Sequence, residues 1–236
     1  MRIGVLDTGM VGNAIGTKLV SLGHEVKMGS REAGSEKALA WAEAARAGAS
    51  EGSFRDAAAF GELVVNCTAG LHSLEVLDAA GSDNLAGKVL IDVANPLDFS
   101  AGLPPTLGIS NTDSLGEQIQ RAFPDTKVVK ALNTMNCEVM VEPAKVPGNH
   151  FVFVCGDDDG PKGVVAELLQ SFGWPSERIV DLGGIGSARG TEMYLPLWLS
   201  LWGALGTGYF NIGYCAPTGE PSRPASSSAL GARRAH

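Results

Sequence analysis

The chain has 236 residues, of which 44% are hydrophobic and 19% charged, and its formal net charge is −8. This composition is typical of a globular protein and excludes a chain that is disordered throughout. The excess of acidic residues argues against binding to a nucleic-acid backbone or an anionic membrane, since both carry negative charge. We therefore expect neither nucleic acid nor membrane as a partner.

The N-terminus and the cysteines bear on the compartment. The sequence begins MRIGVL with no apolar signal segment behind it, and its most apolar stretch, 193–205, is short for a spanning helix and contains Pro196. The four cysteines are far apart and form no CxxC pair, which is typical of reduced thiols and not of a zinc site or a disulfide framework. These features predict a cytoplasmic protein.

Short apolar runs alternate with longer helical stretches along most of the chain. Strands are predicted at 2–6, 25–28, 63–67, 89–93 and 128–132, with two more at 151–155 and 179–181 that extend the same sheet. The first five are apolar on both faces, as expected of strands buried between two helical layers. The pattern predicts an α/β fold of the Rossmann type, with a doubly wound, mostly parallel sheet.

Helices are predicted at about 12–22, 35–47 and 160–172, and Asp113 or Ser114 can cap another that ends at Phe123. The segment from Tyr194 to Leu205 is apolar nearly all round, so a helix there must be covered, either by the core or by a homodimer interface. In the sharper interpretation, Trp198 or Trp202 also walls a cleft for a flat ring.

Three units follow from these patterns. Residues 1–186 are predicted to form a nucleotide-binding domain, and residues 187–215 a short helical unit that closes the cleft or dimerises. Residues 216–236 are rich in Pro, Ser and Ala without apolar periodicity, which predicts a low-complexity tail.

The connection between the first strand and the first helix reads DTGMVG at residues 7–12, with Gly16 one turn later. This is where a dinucleotide-binding fold carries GxGxxG. Gly9 would let the backbone approach a pyrophosphate, and the free N–H groups of the helix N-terminus would bind it. The alternative is that these glycines only make a tight connection.

Asp7 occupies the position of the first glycine in that pattern, and its carboxylate brings a like charge toward the phosphates. At about 6 Å and an effective dielectric constant of about 20, the repulsion is about 2–3 kcal/mol, or one to two decades of affinity. We hypothesise that Asp7 weakens cofactor binding without abolishing it.

The end of the second strand predicts which nucleotide binds. An NAD site usually has Asp or Glu there, whereas this chain has Ser30 and Arg31, a hydroxyl and a guanidinium that suit a 2′-phosphate. Lys37 could add a further positive charge. We expect NADP(H); in the alternative, Ser30 caps the following helix and Arg31 is simply solvated.

The sequence resembles the NADPH-dependent coenzyme F420 reductases (F420:NADP oxidoreductases), whose nucleotide domain is shared by the STEAP metalloreductases. The resemblance covers about residues 1–213. The segments that carry it are GHEVKMGSR (23–31), VVNCTAGLHS (64–73), IDVANPLD (91–98), KALNTMN (130–136), VCGDD (154–158) and SARGTEM (187–193).

The resemblance implies a site built from five parts of the chain. The pyrophosphate turn corresponds to Thr8, Gly9, Met10, Val11 and Gly12, and the 2′-phosphate contacts to Ser30 and Arg31. Three further loops, which follow predicted strands, would pass the nicotinamide; they contain Thr68, Ala69, Gly70 and His72, then Asn95 and Pro96, then Asn133 and Thr134. The resemblance also implies that the late helical part closes the cleft and contacts a partner subunit.

Hydride transfer between a nicotinamide and a deazaflavin mainly requires that the two rings be close and aligned, because the cofactors carry the chemistry. The lack of an obvious acid–base pair is consistent with such an enzyme and also with a non-catalytic nucleotide-binding protein. His72 is the one histidine in a predicted site loop. It either orients or protonates a ligand, or is a plain surface histidine.

We therefore predict an NADP(H)-dependent oxidoreductase that exchanges hydride with a small-molecule acceptor, coenzyme F420 by resemblance. An NADPH-dependent reductase of a flavin, an imine or a biosynthetic intermediate is the rival enzyme. A non-catalytic NADPH sensor is the rival of another class. The run Asp157, Asp158, Asp159 between a strand and a helix is better suited to that helix N-terminus than to a metal, so no metal site is expected.

Overall fold

Ten strands and ten α-helices lie within residues 1–215, the part of the chain that the computed structural model describes. The predicted tail, 216–236, is outside the described residues. The strands are β1 (Arg2–Leu6), β2 (Glu25–Ser30), β3 (Ala49–Ser53), β4 (Leu63–Asn66), β5 (Val89–Asp92), β6 (Leu97–Asp98), β7 (Thr106–Leu107), β8 (Lys127–Ala131), β9 (Val152–Cys155) and β10 (Ile179–Asp181). The α-helices are α1 (Met10–Ser21), α2 (Glu36–Ala45), α3 (Phe54–Phe60), α4 (Ser73–Ala80), α5 (Ser82–Leu85), α6 (Leu115–Ala122), α7 (Cys137–Val141), α8 (Asp159–Phe172), α9 (Ala188–Met193) and α10 (Leu195–Leu205).

Eight strands form one sheet in the order β10-β9-β8-β5-β4-β1-β2-β3, and β6 pairs with β7 in a separate small hairpin. All neighbours in the large sheet are parallel except β8 and β9. The run from β3 to β8 has the strand order of a dinucleotide-binding fold, which reverses direction between β1 and β4. The predicted Rossmann-type, mostly parallel sheet is confirmed.

The predicted strands agree with the observed ones to within two residues at each end, and β3 is the one strand of the large sheet that was missed. Its sequence, ASEGS, contains no large apolar side chain and only Gly52 is fully buried. It forms because it pairs in parallel with β2 at the edge of the sheet. A pattern of buried apolar residues cannot reveal such a strand.

Two apolar clusters cover the two faces of the sheet. One includes Ile3, Val5 and Trp41 under α1 and α2, and the other includes Leu6, Leu90 and Ile119 under α3 and α6. Because both faces are covered, ligands have access at the edge where the parallel strands end. The loops after β1, β2, β4, β5 and β8 all open at that edge.

The last two helices follow the sheet. Ile185 and Ala188 belong to the second cluster, so α9 is anchored on the sheet side of the molecule. In α10 only Leu195 is buried, while Leu197, Trp202 and Leu205 are 56%, 49% and 56% exposed. The interpretation that the core covers this helix is therefore wrong. Among residues 1–215 no helix is both long and apolar enough to cross a membrane.

Candidate functional site

The turn after β1 presents a helix N-terminus at the open edge of the sheet. Gly9 is the N-cap of α1 and supplies no side-chain hydrogen bond to the first turn, and Met10 is exposed. The Asn13 side chain fixes the turn by donating to the carbonyl oxygens of Thr8 and Gly9 at 2.8 and 3.0 Å. The first-turn N–H groups are left available to an anion.

Position 12 requires glycine because the backbone of α1 lies very close to the backbone of Asp7 there. A Cβ at this position would overlap the carbonyl oxygen of Asp7. The close contact that Gly12 permits is thus with the turn itself. Val11 is half-buried and packs against the apolar cluster under α1.

Asp7 has a φ of 108°, the left-handed region that Asp tolerates better than most residues. Its backbone N–H donates to the carbonyl of Gly29 at 3.0 Å, and its Oδ2 accepts from the N–H of Gly9 at 3.1 Å. The carboxylate therefore turns into the phosphate-binding turn and occupies one of its donors.

The corner after β2 contains the Ser30 hydroxyl, which is already hydrogen-bonded, and the cations Arg31 and Lys37. Ser30 is buried, and its Oγ donates to the carbonyl of Glu32 at 2.6 Å. Arg31 and Lys37 are exposed and form no ion pair within residues 1–215. Ser35, and not Ser30, caps α2 by accepting from the N–H of Ala38. The alternative capping role for Ser30 is therefore wrong.

The loop after β4 is held by a buried polar network. The Thr68 hydroxyl donates to Asn66 Oδ1 at 2.7 Å and lies 2.9 Å from Ser73 Oγ. Thr68 is thus oriented inward, whereas Ala69 is exposed. Gly70 lies so close to the next loop that a Cβ would overlap the carbonyl of Asn95, so these two loops are in backbone contact.

A reciprocal amide pair joins the loops after β5 and β8. Asn95 Nδ2 donates to the carbonyl of Asn133 at 2.8 Å, and Asn133 Nδ2 donates to Asn95 Oδ1 at 2.9 Å. Asn133 is buried, and so are Pro96 and Thr134, the residues that follow the two asparagines in the chain. The structure thus brings together the three loops that the sequence assigned to the nicotinamide.

His72 lies in a single 3-10 turn just before α4. Its side chain is 70% exposed, and Nδ1 is 3.7 Å from the Glu75 carboxylate. No contact fixes the ring over the Asn95 and Asn133 pair. A role for His72 in proton transfer stays a prediction.

A buried charge cluster that was not predicted from the sequence lies beneath these loops. Lys130 Nζ is 2.8 Å from Asp92 Oδ2 and 2.8 Å from Glu192 Oε1, and all three side chains are essentially inaccessible. Burial by itself would lower the pKa of the Lys130 ammonium, but the attraction of Asp92 and Glu192 outweighs it and raises that pKa. The prediction that β5 and β8 are apolar on both faces is wrong at these residues. The sequence shows only a charged residue inside each of these apolar runs, and this does not identify the partner of either charge.

A mainly apolar cavity of about 260 Å³ lies next to the loop after β8. Its walls are Thr134, Phe153, Leu182, Gly190, Thr191, Tyr194 and Ile212. Two buried polar atoms have no hydrogen-bond partner within residues 1–215: Tyr194 Oη, which belongs to a cavity-lining residue, and Trp198 Nε1, one turn further along the chain in α10. Trp198 stacks on Phe210 with centroids 5.4 Å apart. The cavity combines the aromatic side chains of Phe153 and Tyr194 with apolar walls, which suits a flat ring.

The aspartate run after β9 is used by the protein itself. Asp157 accepts from the N–H of Ile185 at 2.9 Å, Asp158 pairs with Lys127 and Asp159 pairs with Lys162. Asp158 is the N-cap of α8 without a side-chain capping bond. Within residues 1–215 no three His, Cys, Asp or Glu side chains are grouped to hold a metal ion.

Comparison with known proteins places this geometry among related folds. The family model described as NADP oxidoreductase coenzyme F420-dependent matches residues 2–96. A protein of Arthrobacter sp. FB24, named provisionally as an F420-dependent NADP reductase, has a solved structure that is 50% identical. That similarity covers 92% of this chain and all of the other, with a TM-score of 0.87.

Two curated relatives are more distant. F420-dependent NADP reductase of Methanothermobacter thermautotrophicus is 29% identical over 210 residues, which is 85% of this chain and 89% of the relative. Metalloreductase STEAP3 of Rattus norvegicus is 29% identical over 206 residues, 84% of this chain. The match spans only 38% of the length of the rat protein, so the similarity is to one part of it.

Proposed function

This chain belongs to the F420-dependent NADP reductase family of NADP(H)-dependent oxidoreductases, and on that premise we propose that it transfers hydride between NADP(H) and coenzyme F420, a deazaflavin. The observation that carries the proposal is the convergence of the phosphate turn, the Arg31 corner and the three loops joined by Gly70, Asn95 and Asn133 at one edge of the sheet. All of these parts follow parallel strands at their carboxyl ends, which is where an open sheet of this order binds a dinucleotide.

The residues present fit NADP(H). The uncapped first turn of α1 is suited to the pyrophosphate, with Thr8, Gly9, Met10, Val11 and Gly12 around it. Arg31, with Lys37 nearby in sequence, supplies unpaired positive charge for the 2′-phosphate. Ser30 can take part only by giving up its bond to Glu32. Thr68, Ala69, Gly70, Asn95, Pro96 and Asn133 line the proposed nicotinamide end.

The bound nicotinamide supplies the hydride chemistry. The residues of this chain orient the nicotinamide and the acceptor and exclude water from them. The amide pair Asn95 and Asn133 fixes the relative position of two loops that would face the ring. We assign the acceptor to the cavity beside Thr134, whose lining includes Tyr194, a residue with a buried hydroxyl that has no partner within residues 1–215. The proton role of His72 is tested by His72→Ala: unchanged turnover would exclude it.

The decisive experiment follows NADPH oxidation by absorbance with F420, with FMN and without acceptor, beside binding titrations of NADPH and NADH. Oxidation that depends on F420 is expected, with tighter binding of NADPH than of NADH. Oxidation with FMN but not with F420 would show that the acceptor is a flavin and not a deazaflavin. Tight NADPH binding without turnover would favour the sensor, a rival supported by the placement of the Asp7 carboxylate on Gly9.

We also propose that α10 forms a homodimer interface. Its side chains Leu197, Trp202 and Leu205 are exposed, and Trp202 lines a surface pocket together with exposed Leu103. A helix this apolar is stable in water only when covered. Leu197→Glu is expected to convert dimer to monomer in sedimentation velocity. The matched control is Leu39→Glu, at an equally exposed leucine of α2. A monomeric wild-type chain would refute the interface.

A further inference from the structure

The buried ammonium of Lys130 has all three of its hydrogens engaged. It donates to Asp92 Oδ2 at 2.8 Å, to the carbonyl of Ala94 at 2.5 Å, and lies 2.8 Å from Glu192 Oε1. Neither Lys130 nor Asp92 has any exposed side-chain surface. A lysine is very rarely found so deep unless every donor is paired, as it is here.

The two carboxylates bind the ends of other elements. Asp92 Oδ1 accepts from Asn66 Nδ2 at 2.9 Å, which connects it to β4. Glu192 accepts from the backbone N–H groups of Leu115 and Gly116 at 2.8 and 3.1 Å, the free donors at the N-terminus of α6. One ammonium therefore joins β5, β8, α6 and α9.

Lys130 also sets the two loops that carry the amide pair. Its bond to the carbonyl of Ala94 holds the residue just before Asn95, and Lys130 itself lies three residues before Asn133. The amide groups of Asn95 and Asn133 then bind each other above it. The buried Asp92 carboxylate holds the same stretch, because its Oδ1 accepts from the N–H of Ala94 at 3.2 Å. The Lys130–Asp92 pair therefore fixes the start of the loop 94–96 from both its carbonyl and its N–H side, and a shift of the ammonium would move that loop.

We propose that Lys130 is a positioning residue that fixes the loops 94–96 and 132–134 against the nicotinamide half of the cofactor, and that Glu192 makes this arrangement depend on α9. The inference rests on the proposed placement of the nicotinamide. Buried ion clusters contribute little net stability compared with apolar side chains of similar size. Their location at the ends of two site strands is explained better by positioning than by stabilisation.

The test measures the contribution of the nicotinamide half of the cofactor to binding separately from that of the other half. It needs no hydride acceptor. Dissociation constants are measured for NADPH and for 2′-phospho-ADP-ribose, which lacks the nicotinamide. Lys130→Met is expected to weaken NADPH binding about tenfold, toward the affinity for 2′-phospho-ADP-ribose, and to change the latter by less than about twofold. A general loss of folding would weaken both ligands alike.

Lys162→Met is the matched control. The Lys162 side chain is also largely buried and pairs with two carboxylates, Asp159 at 3.1 Å and Asp181 at 2.8 Å, but these carboxylates are exposed and lie at the β10 edge of the sheet. Its loss should leave the ratio of the two dissociation constants unchanged. Equal ratios in wild type, Lys130→Met and Lys162→Met would overturn the inference.

Glu192→Gln decides the matter if Lys130→Met does not fold. It retains the shape of the side chain and the Lys130–Asp92 pair, and it is expected to shift the ratio in the same direction by about threefold. An unchanged ratio overturns the positioning role. If the wild-type chain binds both ligands equally, the nicotinamide placement itself is wrong and the inference falls with it.

Discussion

The carboxylate of Asp7 accepts a hydrogen bond from the backbone N–H of Gly9, with Oδ2 and nitrogen 3.1 Å apart. Gly9 is the N-cap of α1, where a pyrophosphate would receive the same hydrogen bond. The protein thus places its own anion on a donor of the proposed pyrophosphate site. The repulsion inferred from the sequence becomes a direct competition for one N–H group.

Asp7→Gly is therefore expected to tighten NADPH binding by at least about tenfold, since it removes both the competitor and a like charge. Glycine also adopts the positive φ of this position without strain. Asp7→Asn, which keeps the shape and removes the charge, should give an intermediate dissociation constant. Isothermal titration would contradict the idea if Asp7→Gly bound NADPH no more tightly than wild type.

Arg31→Ala is expected to weaken NADPH binding by about 10-fold to 100-fold and to leave NADH binding unchanged, because Arg31 is the free cation next to β2. Ser30→Ala should change binding much less, since the Ser30 hydrogen is already donated to Glu32. Ser30→Ala should lower the free energy of unfolding by about 1 kcal/mol.

The control for both variants is Lys18→Ala, at the far end of α1 from the phosphate turn. Its dissociation constants for NADPH and NADH should match those of wild type. If Ser30→Ala lost as much NADPH affinity as Arg31→Ala, the hydroxyl would have to release Glu32 when the cofactor binds.

The sheet and the phosphate turn were predictable because their signals are local. Apolar runs mark buried strands, and the DTGMVG turn between a strand and a helix marks the binding edge. The Lys130 cluster was not predictable, because its partners Asp92 and Glu192 lie 38 and 62 positions away and meet only in the folded chain. Each of these charges looked like an isolated exception within an apolar run or helix.

Tyr194→Phe tests whether the Tyr194 hydroxyl serves acceptor binding or the stability of the fold. The Tyr194 hydroxyl is buried without a partner in residues 1–215, and burial raises its pKa, so the group costs the unliganded protein stability. Its removal should leave the melting temperature equal or higher and should not alter NADPH binding. If the acceptor binds in this cavity, KM for F420 should rise about fivefold or more.

Tyr209→Phe is the control for this variant. The Tyr209 hydroxyl is exposed and donates to Glu138 at 2.8 Å, away from the cavity lining. It should leave KM for the acceptor unchanged. A lower melting temperature for Tyr194→Phe with an unchanged KM would assign its hydroxyl to the fold and remove it from the acceptor site.

The start of α6, the helix whose N–H groups bind Glu192, should be sensitive to acid. The hydrogen bond from Arg121, with Nη2 2.7 Å from Asp113 Oδ2, lowers the pKa of Asp113 from 3.8 to about 2. A lowered pKa in the folded state means that the pair stabilises the protein above the ordinary pKa and loses its contribution as the pH falls toward about 2.

Asp113→Asn should therefore be less stable than wild type by about 1 kcal/mol near neutral pH, with the difference vanishing between about pH 4 and pH 2. Urea unfolding across that range measures it. Glu62→Gln breaks the longer pair with Arg2, 3.3 Å apart and exposed on both sides, and should cost much less at every pH. A difference for Asp113→Asn that kept its full size at pH 2 would have to come from packing, because by then about half of the carboxyl is protonated in the folded chain and nearly all of it in the unfolded chain.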